Sequence, residues 1–137
     1  MSSIEIKKFF MKIWTNGCFD VLHIGHIEMF KYARGKGKSL TVGIDSDERV
    51  RRLKGSGRPI NNEEDRANFL RAIKYIDAVF IFDDEPHMVS ILQSEGIDLI
   101  VVGEEYKGRG VTGSDVCDVD YFPRIGEYST TNIINSK

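Results

Sequence analysis

The chain has 137 residues, 41% of them hydrophobic, with 19 Lys plus Arg against 21 Asp plus Glu for a formal net charge of −2. That is the length of one domain with enough apolar content for one core, which argues against multidomain and intrinsically disordered readings. The near-neutral charge removes the bulk electrostatic basis for general nucleic-acid binding, so any basic site must be local. Two cysteines, Cys18 and Cys117, are too few for a disulfide framework and lack zinc or redox spacing, which points to reduced thiols in the cytoplasm. The first residues, MSSIEIKKFFMKIW, are broken by Glu5, Lys7, Lys8 and Lys12 and hold no signal-peptide core. No apolar run approaches the roughly 20 residues of a membrane helix, so a soluble protein without a membrane partner is expected.

In chain order, residues 12–16 form a short β-type run ending at Gly17, after which Ile24, Ile27, Phe30 and Ala33 recur near helical spacing. Residues 40–44 (LTVGI) read as a second strand, closed by Asp45-Ser46-Asp47, whose side chains can cap a short helix over 48–53. The KGSGRP segment at 54–59 breaks that helix. Asn62 followed by Glu63, Glu64 and Asp65 starts the next one, with acids at its positive dipole end and Ala67, Leu70, Ile73 and Ile76 on its apolar face. The continuous apolar runs at 78–82 and 99–102 have the pattern of strands covered on both faces, and 86–94 between them is a helix opened by proline. Residues 119–122 are expected as the last strand and 129–135 as a terminal helix. This alternation predicts the α/β class: a Rossmann-like doubly wound parallel sheet of about five strands, in a single domain, with a ligand crevice at the carboxyl ends of the strands.

Residues 16–26, NGCFDVLHIGH, place a glycine turn at the end of the first strand, an acid at Asp20, and His23 and His26 around Gly25. The two imidazoles fall on one face of a helix's first turn, where exposed N–H groups and the dipole favour an anion. Gly25 lets a phosphate approach the backbone, and the imidazoles can donate hydrogen bonds to phosphate oxygens as transition-state charge builds. The ordinary alternative is one packed and one solvated histidine. A metal cluster of Cys18, Asp20, His23 and His26 is disfavoured, because its ligands crowd one turn without a distant partner set.

GCFDVLHIGH matches the G-[TC]-F-D-x-x-H-x-G-H signature of the nucleotidyltransferase superfamily, which includes cytidylyltransferases and small adenylyltransferases. STTNII at 129–134 resembles that family's S-T-T-x-I-I element, which implies a last helix holding nucleotide phosphates. Read alone, its hydroxyls and N–H groups make either a second anion site or an ordinary helix cap. Arg49, Arg51, Arg52, Lys54 and Arg58 put five cations in ten residues with no acid, which alone could be a solvated helix face. RLKGSGRP at 52–59, followed by Arg66, closely resembles the R-L-K-G-x-x-R-P…R segment of enzymes that join heptose 1-phosphate to ATP. A loop made mobile by Gly55 and Gly57 can fold such cations over a triphosphate and a sugar phosphate. The resemblance runs from Met11 over essentially the whole chain, including KYID at 74–77, GEEY at 103–106 and VTGSDV at 111–116. It departs at 101–106, where VVGEEY stands in place of the heptose enzymes' usual V-K-G-G-D-Y. PRIGEYS at 123–129 has the Arg-to-Ser spacing of glycerol-3-phosphate cytidylyltransferases.

The resemblance implies transfer of AMP from ATP to a sugar 1-phosphate, heptose 1-phosphate first, with release of pyrophosphate. CTP with glycerol 3-phosphate is the second reading, and a non-catalytic nucleotide-binding module is the reading of another class. It further implies His23, His26 and Arg66 as catalytic. Asn16, Gly17, Cys18, Phe19, Gly103, Arg124, Ser129, Thr130 and Thr131 join the two histidines as nucleotide-binding, and Asp20, Lys54, Arg58 and Glu105 are substrate-binding. Mg²⁺ is expected to bridge the triphosphate oxygens, with no protein metal ligand assigned, and a homodimer is implied. The G-x-G-x-x-G at 108–113 neither follows the first strand nor opens a long helix, so it reads as a mobile substrate loop rather than a dinucleotide site. Cys18 is not expected to be a nucleophile, since in-line transfer between phosphates needs no covalent intermediate. The acid runs at 63–65 and 83–85 read as a helix start and a solvated loop. MKIW at Met11 begins where short family members begin, so residues 1–10 are expected to extend outside a nucleotidyltransferase domain at 11–137.

Overall fold

The structure, a computed structural model, describes residues 2–123. The expected terminal helix at 129–135, and with it Arg124, Ser129, Thr130 and Thr131, lies outside the described residues. The elements run α1 (Ser3–Phe10), β1 (Lys12–Gly17), α2 (Ile24–Arg34), β2 (Ser39–Asp45), α3 (Asp47–Lys54), α4 (Glu63–Arg71), β3 (Ala78–Phe82), α5 (Glu85–Ser94), β4 (Leu99–Gly103) and β5 (Asp118–Phe122). The five strands form one sheet in the order β3-β2-β1-β4-β5, and every pairing is parallel. This is the Rossmann-like α/β arrangement that the alternating pattern predicts. The chain builds outward from β1 through β2 to β3, then returns to add β4 on the other side. The carboxyl ends of β1 and β4 therefore border the point where strand order reverses, the place such sheets bind ligands.

Alternation along the strands divides the core between the two faces of the sheet. Ile13, Leu40, Val42, Ile44 and Val101 pack with Phe30 and Ala33 of α2 and Ala67 and Leu70 of α4. Trp14, Phe82 and Ile100 pack with Met88, Ile91 and Leu92 of α5 on the opposite face. Trp14 is wholly buried, its indole N–H donates to Asn16 Oδ1 at 2.9 Å, and its ring lies over the site where a Cβ on Gly43 would stand, 2.2 Å away. Gly43 is thus the hole that admits the indole.

Helix starts follow the expected capping chemistry. Ser46 opens α3, accepting from the Arg49 N–H; Asn62 opens α4, accepting from Asp65; and Asp84 opens α5, accepting from His87. The apolar spacing through Ile76 overstates α4, which ends at Arg71. Beyond it, Ile73 and Ile76 donate to the carbonyls three residues back in tight turns while still packing on the core. The next strand fixes this stop: the Asp77 N–H donates to the Leu40 carbonyl at 2.8 Å, and the Leu40 N–H donates to the Asp77 carboxylate at 2.8 Å. Residues 3–10 form α1, and none of its residues is buried.

Candidate active site

A cavity of about 520 Å³ opens at the carboxyl ends of β1 and β4. Thr15, Asn16 and Gly17 from β1, Val102 and Gly103 from β4, and Gly25, His26 and Met29 from α2 line it. Of the residues expected to bind substrates or act on them, Asn16, Gly17, Cys18, Phe19, His23, His26, Lys54, Gly103 and Glu105 are brought together in this wall.

The two histidines build the start of α2. His23 is its N-cap, and its Nδ1 accepts the Gly25 N–H at 3.1 Å. The His26 Nδ1 accepts the His23 N–H at 3.2 Å, so the pair forms a capping box from imidazoles. The rings stack with centroids 3.8 Å apart and planes 23° from parallel. A ring nitrogen that accepts a hydrogen bond carries no proton, so each neutral ring holds its hydrogen on Nε2. Burial, and then the neighbouring His23, pull the His26 pKa down from 6.5 to about 4. His26 is therefore a neutral N–H donor at physiological pH.

Phe19 holds the turn that precedes this helix. Its φ of 49° is in the left-handed region, uncommon for a bulky residue, and its buried ring packs edge-on against His26 and Phe30, each at 5.2 Å. The ring also covers Gly17, where a Cβ would meet it at 3.1 Å. Phe19 thus braces the histidine pair from the core side, a function that a signature match alone does not reveal.

Three expected site residues lie elsewhere. The Asp20 carboxylate is buried and accepts from Arg58 Nε at 3.0 Å and from the Ile60 and Asn61 N–H groups at 2.7 Å each. Burial alone would raise its pKa, but the Asn61, Ile60 and Arg58 donors outweigh that effect and hold it below the usual carboxylate range. Asp20 and Arg58 are paired with each other and do not line the cavity. Arg66 is also absent from the wall and has zero exposure. Its guanidinium donates to the carbonyls of Asn61 (2.9 Å), Cys18 (3.0 Å) and Asp45 (2.7 Å) and to the Asp47 carboxylate (2.7 Å). In this structure Asp20, Arg58 and Arg66 are thus engaged by the chain itself, away from the cavity wall. Spacing identifies the residue types, but it cannot show that a cation's hydrogens are already occupied by the chain.

Two more cations of the basic stretch are also engaged by the chain. Arg49 binds Asp45 at 2.7 Å, and Arg52 donates to the Asp83 carbonyl at 2.6 Å, while Lys54 reaches the cavity. Burial pushes the Cys18 thiol up, against the pull of Lys54 and Arg66, which keeps it protonated. The expected substrate loop at 108–113 contributes Gly110, Val111 and Thr112 to the wall. Glu85, read from sequence as part of a solvated loop, also lines the cavity, as does Met88. Its signal was Pro86 at a helix start directly after a strand, which puts the preceding residue at a strand's carboxyl end. Among the described residues, no group of three or more His, Cys, Asp or Glu side chains is placed to hold a metal, and no helix is long and apolar enough to cross a membrane.

A parallel sheet with an imidazole-capped helix facing a crevice at its switch point defines a nucleotidyltransferase-type domain. The cytidylyltransferase-like family profile matches residues 14–135, and the chain belongs to that family. It is 42% identical over 124 residues to the bifunctional protein HldE of Campylobacter fetus subsp. fetus, an alignment covering 90% of this chain and 27% of the relative. It is 46% identical over 104 residues to the protein of the same name from Wolinella succinogenes, covering 76% of this chain and 22% of that one. The chain thus spans about a quarter of the length of these curated relatives. The lipopolysaccharide core biosynthesis protein from Thermoplasma volcanium GSS1 superposes with a TM-score of 0.65 at 25% identity, over 87% of this chain and 98% of that one.

Proposed function

We propose that this domain transfers AMP from ATP to a sugar 1-phosphate, heptose 1-phosphate first, and releases pyrophosphate. The observation that carries the reading is the imidazole pair, whose Nδ1 atoms both accept main-chain N–H groups and whose Nε2 atoms thereby bear the protons. An acceptor phosphate oxygen attacks the α-phosphorus in line as the bond to pyrophosphate breaks, so the chain's task is positioning and charge stabilisation. His23 and His26 donate hydrogen bonds to the α-phosphate as its charge develops, beside the positive dipole end of α2. Lys54 acts as a point charge on the outer phosphates. Magnesium enters as the triphosphate's own counter-ion and supplies charge neutralisation there; no side chain is assigned to it.

The heptose acceptor is supported by the 52–59 segment and its resemblance to the heptose 1-phosphate adenylyltransferases. Pyrophosphate release measured over ATP and CTP, each with heptose 1-phosphate and glycerol 3-phosphate, tests it. ATP with heptose 1-phosphate is expected to turn over fastest. Faster turnover of CTP with glycerol 3-phosphate transfers the specificity to the polyol reading. ATP binding without pyrophosphate release for any acceptor identifies a non-catalytic module.

A further inference from the structure

We propose that Arg66 and Asn61 are positioning residues that set where Lys54 stands in the cavity, an inference that rests on the phosphate-binding reading of that site. Lys54 is the last residue of α3 and lines the cavity. The segment that carries it, 46–61, is fastened at both ends by Arg66, helped by a different partner at each end. At its start, Arg66 donates to the Asp45 carbonyl and the Asp47 carboxylate, both at 2.7 Å, and Glu63 accepts the Asp47 N–H at 2.9 Å. At its end, Arg66 Nε donates to the Asn61 carbonyl at 2.9 Å. The Asn61 N–H meets the Asp20 carboxylate, and the Asn61 side-chain amide meets the Asp20 carbonyl, both at 2.7 Å.

Both fasteners also grip the histidine turn: Arg66 binds the Cys18 carbonyl at 3.0 Å, and Asp20 belongs to that turn. The lysine and the imidazoles are thereby referred to one frame. Just beyond Lys54 the chain is open, since a Cβ built at Gly55 or Gly57 would meet nothing within 4 Å. Arg66 has zero exposure, so its influence on a phosphate runs through the protein. A planar fork reaching three carbonyls and a carboxylate is a geometry that a lysine cannot reproduce.

If Arg66 works mainly by placing Lys54, most of its effect disappears when Lys54 is removed. Binding of inorganic pyrophosphate to the full chain, measured by calorimetry, reads this without turnover. Arg66→Lys is expected to weaken binding about 10-fold in the presence of Lys54 and less than about 2-fold in a Lys54→Ala background. Asn61→Ala, which leaves the Arg66 side chain in place, should give the same pattern with a smaller loss, and it carries the test if Arg66→Lys does not fold. Losses that multiply independently of Lys54 overturn the proposal, even in a chain that catalyses transfer. A chain that binds no pyrophosphate overturns it as well. The non-additive pattern in a chain that releases no pyrophosphate from any substrate pair supports positioning and refutes the transferase reading alone.

Discussion

His23 and His26 stack 3.8 Å apart, and the ring of the second accepts the main-chain N–H of the first, so neither can move without disturbing the helix start that holds both. The pair caps α2 and, on the proposed reading, would also act as a double donor to the α-phosphate. His23→Ala and His26→Ala are each expected to lower kcat by about 10²–10³ while changing the KM for ATP much less, because the donated bonds strengthen as charge develops in the transition state. Steady-state pyrophosphate release provides the check. A loss confined to KM would refute the transition-state role.

The low pKa of His26 has consequences for both activity and stability. Its ring stays neutral down to about pH 4, so its titration does not contribute an activity limb near pH 6.5. In the unfolded chain the same residue binds a proton at pH values below about 6.5, and the native state resists protonation until about 4. Between those values the unfolded state holds more protons, and stability falls as pH drops, by at most about 3 kcal/mol over the window. Asp20, and Asp120 beside the Tyr32 hydroxyl and Lys36, are held below the normal carboxylate range, and their contributions are lost only as pH falls below the unfolded carboxylate value of about 4. Urea unfolding at pH 7 and pH 5 should show a smaller difference in His26→Gln than in the parent protein. An equal difference in both would mean that His26 is not the source.

The order of elements from β1 to β5, the caps of α3 and α4 and the histidine turn were legible in the sequence because each is a local pattern: apolar runs of strand length, Ser or Asn before a helix, two histidines around a glycine. What spacing could not show was the non-local geometry. Arg66 reads as a phosphate ligand until its hydrogens are found on Cys18, Asp45, Asp47 and Asn61, residues up to 48 positions away. Asp20 reads as a free acid until Arg58 and the 60–61 backbone are found around it. Glu85 was passed over for the same reason, since it is the packing of α5 against Trp14 of β1 and Ile100 of β4 that carries the start of that helix to the crevice.

Gly43 shows how closely the core and the cavity are linked. A methyl group there would stand 2.2 Å from the Trp14 ring, which is wholly buried and cannot retreat without opening the second core. Gly43→Ala should cost about 1–3 kcal/mol by overpacking, measured by chemical denaturation. Trp14 also holds the Asn16 side chain, and Asn16 lines the cavity. Nucleotide KM is therefore expected to rise with the loss of stability. A destabilised variant with unchanged KM would show that the indole and the cavity are uncoupled.

Glu85 and Glu105 place carboxylates in a cavity whose histidines and lysine are suited to anions. A carboxylate there repels phosphate, so its favourable partner is a set of neutral hydroxyl donors. On the proposed reading, both would meet the polyhydroxy part of an acceptor whose phosphate lies on the histidine side. Ionised carboxylates accept such bonds more strongly than amides do, by about 1 kcal/mol for each bond. Glu85→Gln and Glu105→Gln should each raise the acceptor KM about 5-fold while leaving kcat within about 2-fold, since uniform binding is lost rather than transition-state stabilisation. Steady-state kinetics with the acceptor varied at saturating nucleotide makes the measurement. A fall in kcat at unchanged acceptor KM would move these carboxylates from acceptor recognition to the reacting phosphates.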